Sequence, residues 1–513
     1  MIATEPIVLE SLLAGSWMRG ADPGSRLVDP ASGEVVALAS SRGLDLGAAL
    51  AYAREVGGPA LRGLTYARRA GYLGAIAEAL AARKDEWYAI ARRNSGNTRA
   101  DAAIDVDGAI GTLKYYAKIG GALGEAAFLA DGAPARLVRD PNFQGLHLGI
   151  PIEGAAIHIN AYNFPAWGLW EKAAVALLAG VPVFAKPATA TAWLAVAMVR
   201  AVTDAAILPD GALSVLAGGA GDLLDHVRFG DAVAFTGSAS TAEAIRSHPR
   251  VRAEGVRVNV EADSLNAALL APDGAPGSDV FALFVREVVR EMTVKAGQKC
   301  TAIRRVLVPA RYADAVIAAI ADALEGVAEM GPLVSPAQRA SFEAGLAALA
   351  DETTLVYPRD GGARGDGTFT APVLLRAEPG ATIVHELEIF GPLATVIPYH
   401  DEREAYELAR RGGGSLAVSV FSADPALLTR SALALGASHG RVLLVDPSIG
   451  DSHPGHGIVL PSSLHGGPGR AGNGEELGGL RGLWFYHQRT AVQGPAPVLA
   501  ELAGRGASAD ALS

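Results

Sequence analysis

A single cysteine, Cys300, stands in a chain of 513 residues. One thiol excludes an internal disulfide, so nothing points to an oxidising compartment. Long apolar runs are also missing. The longest, Ala173–Ala185, is too short to cross a bilayer and is interrupted by Gly180 and Pro182. No basic stretch opens the chain. Met1–Glu10 carries two glutamates instead, and no secretory leader is expected. An excess of positive charge is absent too: 44 Lys and Arg against 54 Asp and Glu leave a net charge of −10. That balance argues against nucleic acid and against anionic membranes as partners, since both need a basic face. A cytoplasmic protein is expected, without internal repeats or a low-complexity linker.

What is present is material for more than one core. Half the residues are apolar and 19% are charged, which excludes a mostly disordered chain. Residues Asp45–Ala100 read as helices, and Asp131–His147 as an extended excursion. From Gly149 strands and helices alternate. Short apolar runs at Gly154–Ile159, Val181–Lys186, Leu213–Leu216 and Ala232–Thr236 are separated by helical patterns at Trp167–Leu178 and Ala190–Ala206. Such alternation predicts an α/β fold with a parallel sheet wound on both faces. A second alternation follows. Phe281, Phe284, Val285, Val288, Val289 and Met292 make one apolar helix face. Strands are expected at Ile303–Val308 and Leu416–Phe421, a helix at Asp314–Leu324, a loop at His453–Leu480 and a late strand at Trp484–Val492.

Several residues could carry chemistry. Cys300 lies in Gly297-Gln298-Lys299-Cys300-Thr301, a polar turn after an apolar helix, where a thiol is presented rather than packed. Glu261 ends the strand-like Val258-Asn259-Val260-Glu261, and Lys186 ends Val183-Phe184-Ala185-Lys186. The carboxyl ends of strands are where α/β sheets gather ligands. Phe235-Thr236-Gly237-Ser238 closes another strand just before a helix and could cradle a phosphate, although no full G-x-G-x-x-G is present. Taken singly, each has a plain alternative: a buried thiol, a solvated acid, a surface lysine. His453, His456 and His465 match no ligand spacing and read as loop histidines, so no metal is expected.

Together these pieces resemble the aldehyde dehydrogenase superfamily. The blocks Asn160-Ala161-Tyr162-Asn163-Phe164-Pro165, Lys186-Pro187-Ala188, Phe235-Thr236-Gly237-Ser238, Glu261, Gly297-Gln298-Lys299-Cys300 and Glu388-Ile389-Phe390-Gly391-Pro392 occur in its order over nearly the whole chain. The resemblance implies a Rossmann-like cofactor domain at 1–257, with a bridging excursion near 131–147. It also implies an α/β catalytic domain at 258–450 and a Gly-rich loop with a C-terminal bridging segment at 451–513. It implies Cys300 as nucleophile, Glu261 as the base that activates water, and the Asn163 amide with the Cys300 N–H as oxyanion donors. Lys186, Gly237, Ser238, Phe235, Glu388 and Phe390 would hold a nicotinamide dinucleotide. A homodimer or larger assembly is implied, bridged by Asp131–His147 and Trp484–Val492.

Departures from the common pattern narrow the reading. Thr189 stands where an acidic residue usually meets the adenosine ribose, which predicts NADP in preference to NAD. Ala262-Asp263-Ser264 replaces Leu-Gly-Gly, Ala242 replaces a glycine, and the segment before Met330-Gly331-Pro332 is short. Glu261-Ala262-Asp263-Ser264-Leu265-Asn266, His465–Gly472, Gly474–Gly479 and Tyr486–Thr490 are similar to semialdehyde dehydrogenases of coenzyme A-linked aromatic degradation. Two lines of that group compete: those of the benzoyl-CoA epoxidation route and the dehydrogenase half of the bifunctional phenylacetate ring-opening enzymes. The latter carry a further hydratase domain, for which the residues after the last matching block leave no room. The expected substrate is an aliphatic semialdehyde carried as a coenzyme A thioester, with Arg470 and Arg481 as candidate carrier contacts. Transfer of the acyl group to coenzyme A and a non-catalytic scaffold are the rival readings; Glu261 argues against the first and the retained Cys300, Glu261 and Asn163 against the second.

Overall fold

A computed structural model describes residues 5–359 and 367–508. Its first sheet has seven strands, beginning at one edge with Arg257–Glu261, then Ala232–Thr236, Ala156–Ile159, Val183–Lys186 and Leu213–Val215, all parallel. The hairpin Ser11–Leu13/Ser16–Met18 closes the other edge in antiparallel fashion. In chain order the parallel strands lie 5-4-1-2-3. The order reverses at Ala156–Ile159, which makes the carboxyl ends of Ala156–Ile159 and Ala232–Thr236 the switch point where such sheets open a crevice. The strands are almost wholly buried, which explains their continuous rather than alternating apolar runs.

The second sheet also has seven strands. Thr353–Tyr357 is antiparallel to Val373–Ala377. Leu393–Tyr399, Arg305–Pro309, Ala267–Leu270, Ser415–Phe421 and His439–Val445 then follow in parallel. The helix Asp279–Thr293, capped by the Ser278 hydroxyl, lays Phe281, Phe284, Val285, Val288 and Met292 on this sheet, as the period predicts. A third sheet joins Leu129–Arg136, Phe143–Pro151 and His487–Pro495. Among the described residues no helix is long and apolar enough to cross a membrane.

Three expectations need correction. Arg257–Glu261 pairs along its whole length with Ala232–Thr236, so the first sheet runs through Glu261, beyond the expected division at 257/258. The stretch His453–Leu480 is not all loop. Leu464–Gly467 and Gly474–Leu477 form a hairpin seated on Arg257–Glu261, through Ala262 N–H to the Ala471 carbonyl at 2.9 Å and Glu475 N–H to Asn259 Oδ1 at 2.9 Å. Its glycines read as loop because they lack the usual strand composition, yet they serve close approach. A Cβ on Gly472, at φ +111°, would fall inside the shell of the Val260 carbonyl. The late strand begins at His487, after a helical turn at Trp484–Tyr486.

Candidate active site

Glu261, Cys300 and Asn163 meet at the carboxyl end of the first sheet. They share one small cavity of about 20 Å³, the volume of a single water, lined also by Asn160, Phe164, Trp167, Glu171 and Thr236. Each is placed by a different element. Glu261 is the last residue of its strand. Asn163 lies in the loop between Ala156–Ile159 and the helix Trp167–Ala179. Cys300 ends a strained turn in which Lys295, Ala296 and Gly297 take left-handed φ values of 54°, 51° and 64°. Such residues persist only where their surroundings hold them. Here Asp101 accepts the Lys295 N–H at 2.8 Å. The buried Arg304 guanidinium donates to the carbonyls of Gly391 at 2.7 Å, Gly297 at 3.0 Å and Lys299 at 3.2 Å. Gly297 has no alternative, since a Cβ there would collide with the Gly391 carbonyl.

The unusual Ala262-Asp263-Ser264-Leu265-Asn266 sequence couples the base strand to the cysteine loop. Asn266 Nδ2 donates to the carbonyls of Cys300 at 2.8 Å and Ala302 at 3.0 Å, while the Ser264 hydroxyl donates to Asn266 Oδ1 at 2.7 Å. One Asn163 amide proton goes to the Gln298 carbonyl at 3.1 Å. The other, and the Cys300 N–H, donate to no protein acceptor among the described residues, as an oxyanion site requires.

The electrostatics are set by burial and by a cluster of ionisable groups. Burial, and next the charge of Glu261, push the Cys300 thiol well above its ordinary value. Burial alone would raise Glu261 as well, but His465 and then Lys172 outweigh it and hold the carboxyl well below the usual range. His465 Nε2 lies 3.1 Å from Glu261 Oε1, and both side chains are buried. This overturns the reading of His465 as a loop histidine, since it lies in the strand Leu464–Gly467; His456 does lie in a turn, and both side chains are enclosed. Behind them Lys172 bridges Glu171 at 2.5 Å and Glu476 at 2.9 Å. Asn160 has an amide buried with no partner among the described residues and facing the same cavity. Sequence reasoning missed Asn160, Glu171, Lys172 and Glu476. One signal was there: an adjacent Glu-Lys pair in the middle of the otherwise apolar Trp167–Ala179.

The residues expected to meet a dinucleotide surround the crevice. Lys186 ends its strand half-buried, with its ammonium lowered by burial alone and no counter-charge beside it, which fits a phosphate or ribose partner. Gly237 lies so close over the Phe235 ring that a Cβ would strike it. Ser238 caps the helix Ala239–Ser247, whose first N–H, from Ala239, goes to Asp263 at 3.0 Å. Glu388 accepts the Ser264 N–H at 3.0 Å and lies 3.6 Å from Arg304; burial raises its carboxyl to about 7. Phe390 packs edge-on to Tyr162, with ring centroids 5.9 Å apart. The Thr189 hydroxyl donates to the Gly218 carbonyl at 2.8 Å, so its proton is already committed.

A second opening reaches Cys300 from the other side. Ile104, Phe164, Trp167, Ile458 and Val459 wall an apolar channel that ends on Cys300. Arg481 is exposed and lies near Tyr115, about three turns along the helix from Ile104, and does not line this channel. Arg470 is not there: it lies 3.6 Å from Asp263 and donates to the Glu386 carbonyl, on the dinucleotide side.

Comparison with known proteins agrees with this geometry. Residues 17–491 match the aldehyde dehydrogenase family model. A 3,4-dehydroadipyl-CoA semialdehyde dehydrogenase of Aromatoleum evansii is 51% identical over 478 residues, covering 90% of this chain and 93% of that protein. Among solved structures, a gamma-glutamyl-gamma-aminobutyraldehyde dehydrogenase from Burkholderia cenocepacia superposes with a TM-score of 0.83 at 24% identity, over 96% of this chain and 97% of that one. A betaine aldehyde dehydrogenase from Staphylococcus aureus, in complex with NAD+, has a TM-score of 0.82 at 23% identity, with 95% of each chain covered. The chain belongs to the aldehyde dehydrogenase family. It is an oxidoreductase acting on an aldehyde, and its first sheet is the α/β unit on which this family binds NAD(P).

Proposed function

We propose that the protein oxidises a coenzyme A-linked aliphatic semialdehyde, 3,4-dehydroadipyl-CoA semialdehyde, to its carboxylic acid, with NADP as the preferred dinucleotide. The observation that carries the chemistry is the juxtaposition of Cys300 and Glu261 across one water-sized cavity at the end of an apolar channel. The 51% identical relative from Aromatoleum evansii, named for that substrate, supports the choice of aldehyde. The apolar channel walls suit an aliphatic chain and repel a short polar aldehyde.

Cys300 attacks the aldehyde carbon. The attacking species is the thiolate, its proton released to solvent through the channel. The Asn163 amide and the Cys300 N–H stabilise the tetrahedral oxyanion. Lys186, Gly237, Ser238 and Phe235 would hold a dinucleotide, with Glu388 and Phe390 at its reactive end, and it would supply the hydride acceptor. Cys300 is then left carrying the acyl group as a thioester. Glu261 removes a proton from water in the shared cavity, the hydroxide displaces the thiolate, and the acid leaves through the channel. This use of Glu261 favours hydrolysis over transfer to coenzyme A.

The preference for NADP rests on charge. A carboxylate at position 189 would repel a 2′-phosphate by about 4 kcal/mol at 4 Å and an effective dielectric near 20, before salt screening. Thr189 removes that repulsion, and Lys186 supplies positive charge. The protein acts as a homodimer or larger assembly, with the exposed Phe143 and Ile150 of the third sheet, and Leu137 and Val138 in the connection between its strands, available for the contact; light scattering on the purified chain measures it. The decisive assay compares kcat/KM for the coenzyme A semialdehyde with that for a free aldehyde of equal chain length. At least a ten-fold advantage of the thioester is expected. Equal values would reduce the activity to that of a general aldehyde dehydrogenase.

A further inference from the structure

Among the described residues, His465 is the ion-pair partner of Glu261, its Nε2 3.1 Å from Oε1. The other oxygen, Oε2, has only the Thr236 hydroxyl at 3.4 Å. The histidine has little freedom. Its residue pairs with Glu476 across the hairpin, the hairpin is fastened to the base strand, and the imidazole packs on Trp167 with ring centroids 5.6 Å apart. A bare ring nitrogen and a carboxylate oxygen are both acceptors and repel at 3.1 Å. Neither atom has a hydrogen-bond partner among the described residues, so the contact is an ion pair, stable with the imidazole charged. Facing this pair are Cys300 from the catalytic loop, Glu171 and Lys172 from the helix Trp167–Ala179, and Glu476 from the partner strand. Burial disfavours a charged imidazole there, yet Glu261, and after it Glu171 and Glu476, outweigh burial and raise it.

We propose that His465 is a positioning residue for the hydrolytic half of the reaction: its imidazolium charge, ion-paired with Glu261, holds the carboxylate ionised beside Cys300. The inference rests on the reading of Glu261 as the base. Without His465, a carboxyl enclosed among Glu171 and Glu476 takes up a proton at much higher pH and cannot accept one from water. The loss is therefore pH-dependent, whereas a packing defect would lower the rate at every pH.

The test uses His465→Phe, which keeps an aromatic ring against Trp167, and His465→Gln, which keeps an N–H donor without a charge. Deacylation is read without any dinucleotide from the steady-state hydrolysis of p-nitrophenyl acetate, after the burst that acylates Cys300, from pH 5.5 to 9.5. For His465→Phe the burst is expected to remain. The steady rate should fall at least ten-fold at pH 6.5, the acid limb should move up by one pH unit or more, and the rate at pH 9 should return to within three-fold of the parent. His465→Gln should fall between the two. An unmoved acid limb, a uniform loss across pH, or loss of the burst overturns the proposal. If His465→Phe does not fold, as judged by thermal unfolding, the limb of His465→Gln decides alone by the same criterion. Absence of an ester burst in the parent, with no aldehyde oxidation, would instead refute the reading of Cys300 and Glu261 themselves.

Discussion

In the proposed mechanism Cys300 and Glu261 divide the labour in a way that separate substitutions can expose. No second thiol exists to replace Cys300. Cys300→Ala is therefore expected to remove aldehyde oxidation and ester acylation together, with little change in thermal midpoint, because only one small, partly exposed atom is lost. Glu261→Gln keeps the shape of the site but cannot take a proton from water. A burst of reduced dinucleotide followed by a steady phase slowed about 100-fold or more is expected in stopped-flow absorbance. A steady phase at the parental rate would show that another group is the base. At position 189 the argument is one of charge alone, since the Thr189 hydroxyl proton is committed to Gly218. Thr189→Glu should move the ratio of kcat/KM for NADP over NAD at least ten-fold toward NAD.

At the scale of elements, the site depends on backbones that touch. The turn Lys295–Gly297 is held in left-handed conformations by Asp101 on one side and Arg304 on the other, which aims Cys300 at the sheet end. The hairpin Leu464–Leu477 lies directly on the strand Arg257–Glu261, and Gly472 and Gly474 both come close to the Val260 carbonyl next to Glu261. Gly472→Ala must lift the hairpin, and its φ of +111° is unfavourable for alanine. A loss of about 2 kcal/mol or more in urea unfolding is expected, together with reduced turnover, because both Glu261 and His465 are carried by the two elements forced apart. Unchanged stability with unchanged activity would mean that the hairpin seat is not tight.

For the molecule as a whole, five buried imidazoles link folding to pH. Burial lowers His158, His385 and His456 to about 3, and His439 and His487 to about 4. Each binds a proton more readily in the unfolded chain, near its ordinary value of 6.5. Their contribution to stability is complete above that value and is lost as pH falls toward 3–4, by about 1.4 kcal/mol per unit for each group. Asp105, Glu171, Glu388 and His465, all raised, oppose this, because each gains stability from protonation. Of these, the carboxyls act above their ordinary values, the two glutamates above pH 4.5 and Asp105 above 3.8, and His465 acts above 6.5; five imidazoles outnumber three carboxyls, so the imidazoles prevail below pH 6. The urea midpoint is expected to fall steadily from pH 6.5 to 4.5. Two of these histidines join the third sheet to the rest: His158 meets the Tyr486 hydroxyl at 3.0 Å, and His487 meets that of Tyr66 at 2.7 Å. Acid should therefore loosen that junction early.

The sequence by itself determined the elements and the local chemistry. Continuous apolar runs define the buried strands, a helical period defines Asp279–Thr293, the polar turn after that helix singles out Cys300, and Glu261 and Lys186 stand at strand ends where such sheets gather ligands. These signals are legible because they depend on neighbours within one element. The hairpin in the glycine-rich stretch was not legible, because its glycines answer to a backbone across the gap, at Val260, rather than to their own strand. His465 read as a loop residue for the same reason: nothing near it in the chain announces that Glu261, 204 positions earlier, lies 3.1 Å away. Ionisation behaves likewise. Whether Glu261 is charged, whether Lys186 lacks a counter-ion and whether the Thr189 proton is free depend on burial and on partners from distant elements. Only tertiary packing sets those, because electrostatic energies follow distance through space and exclusion of water, neither of which is written in residue order.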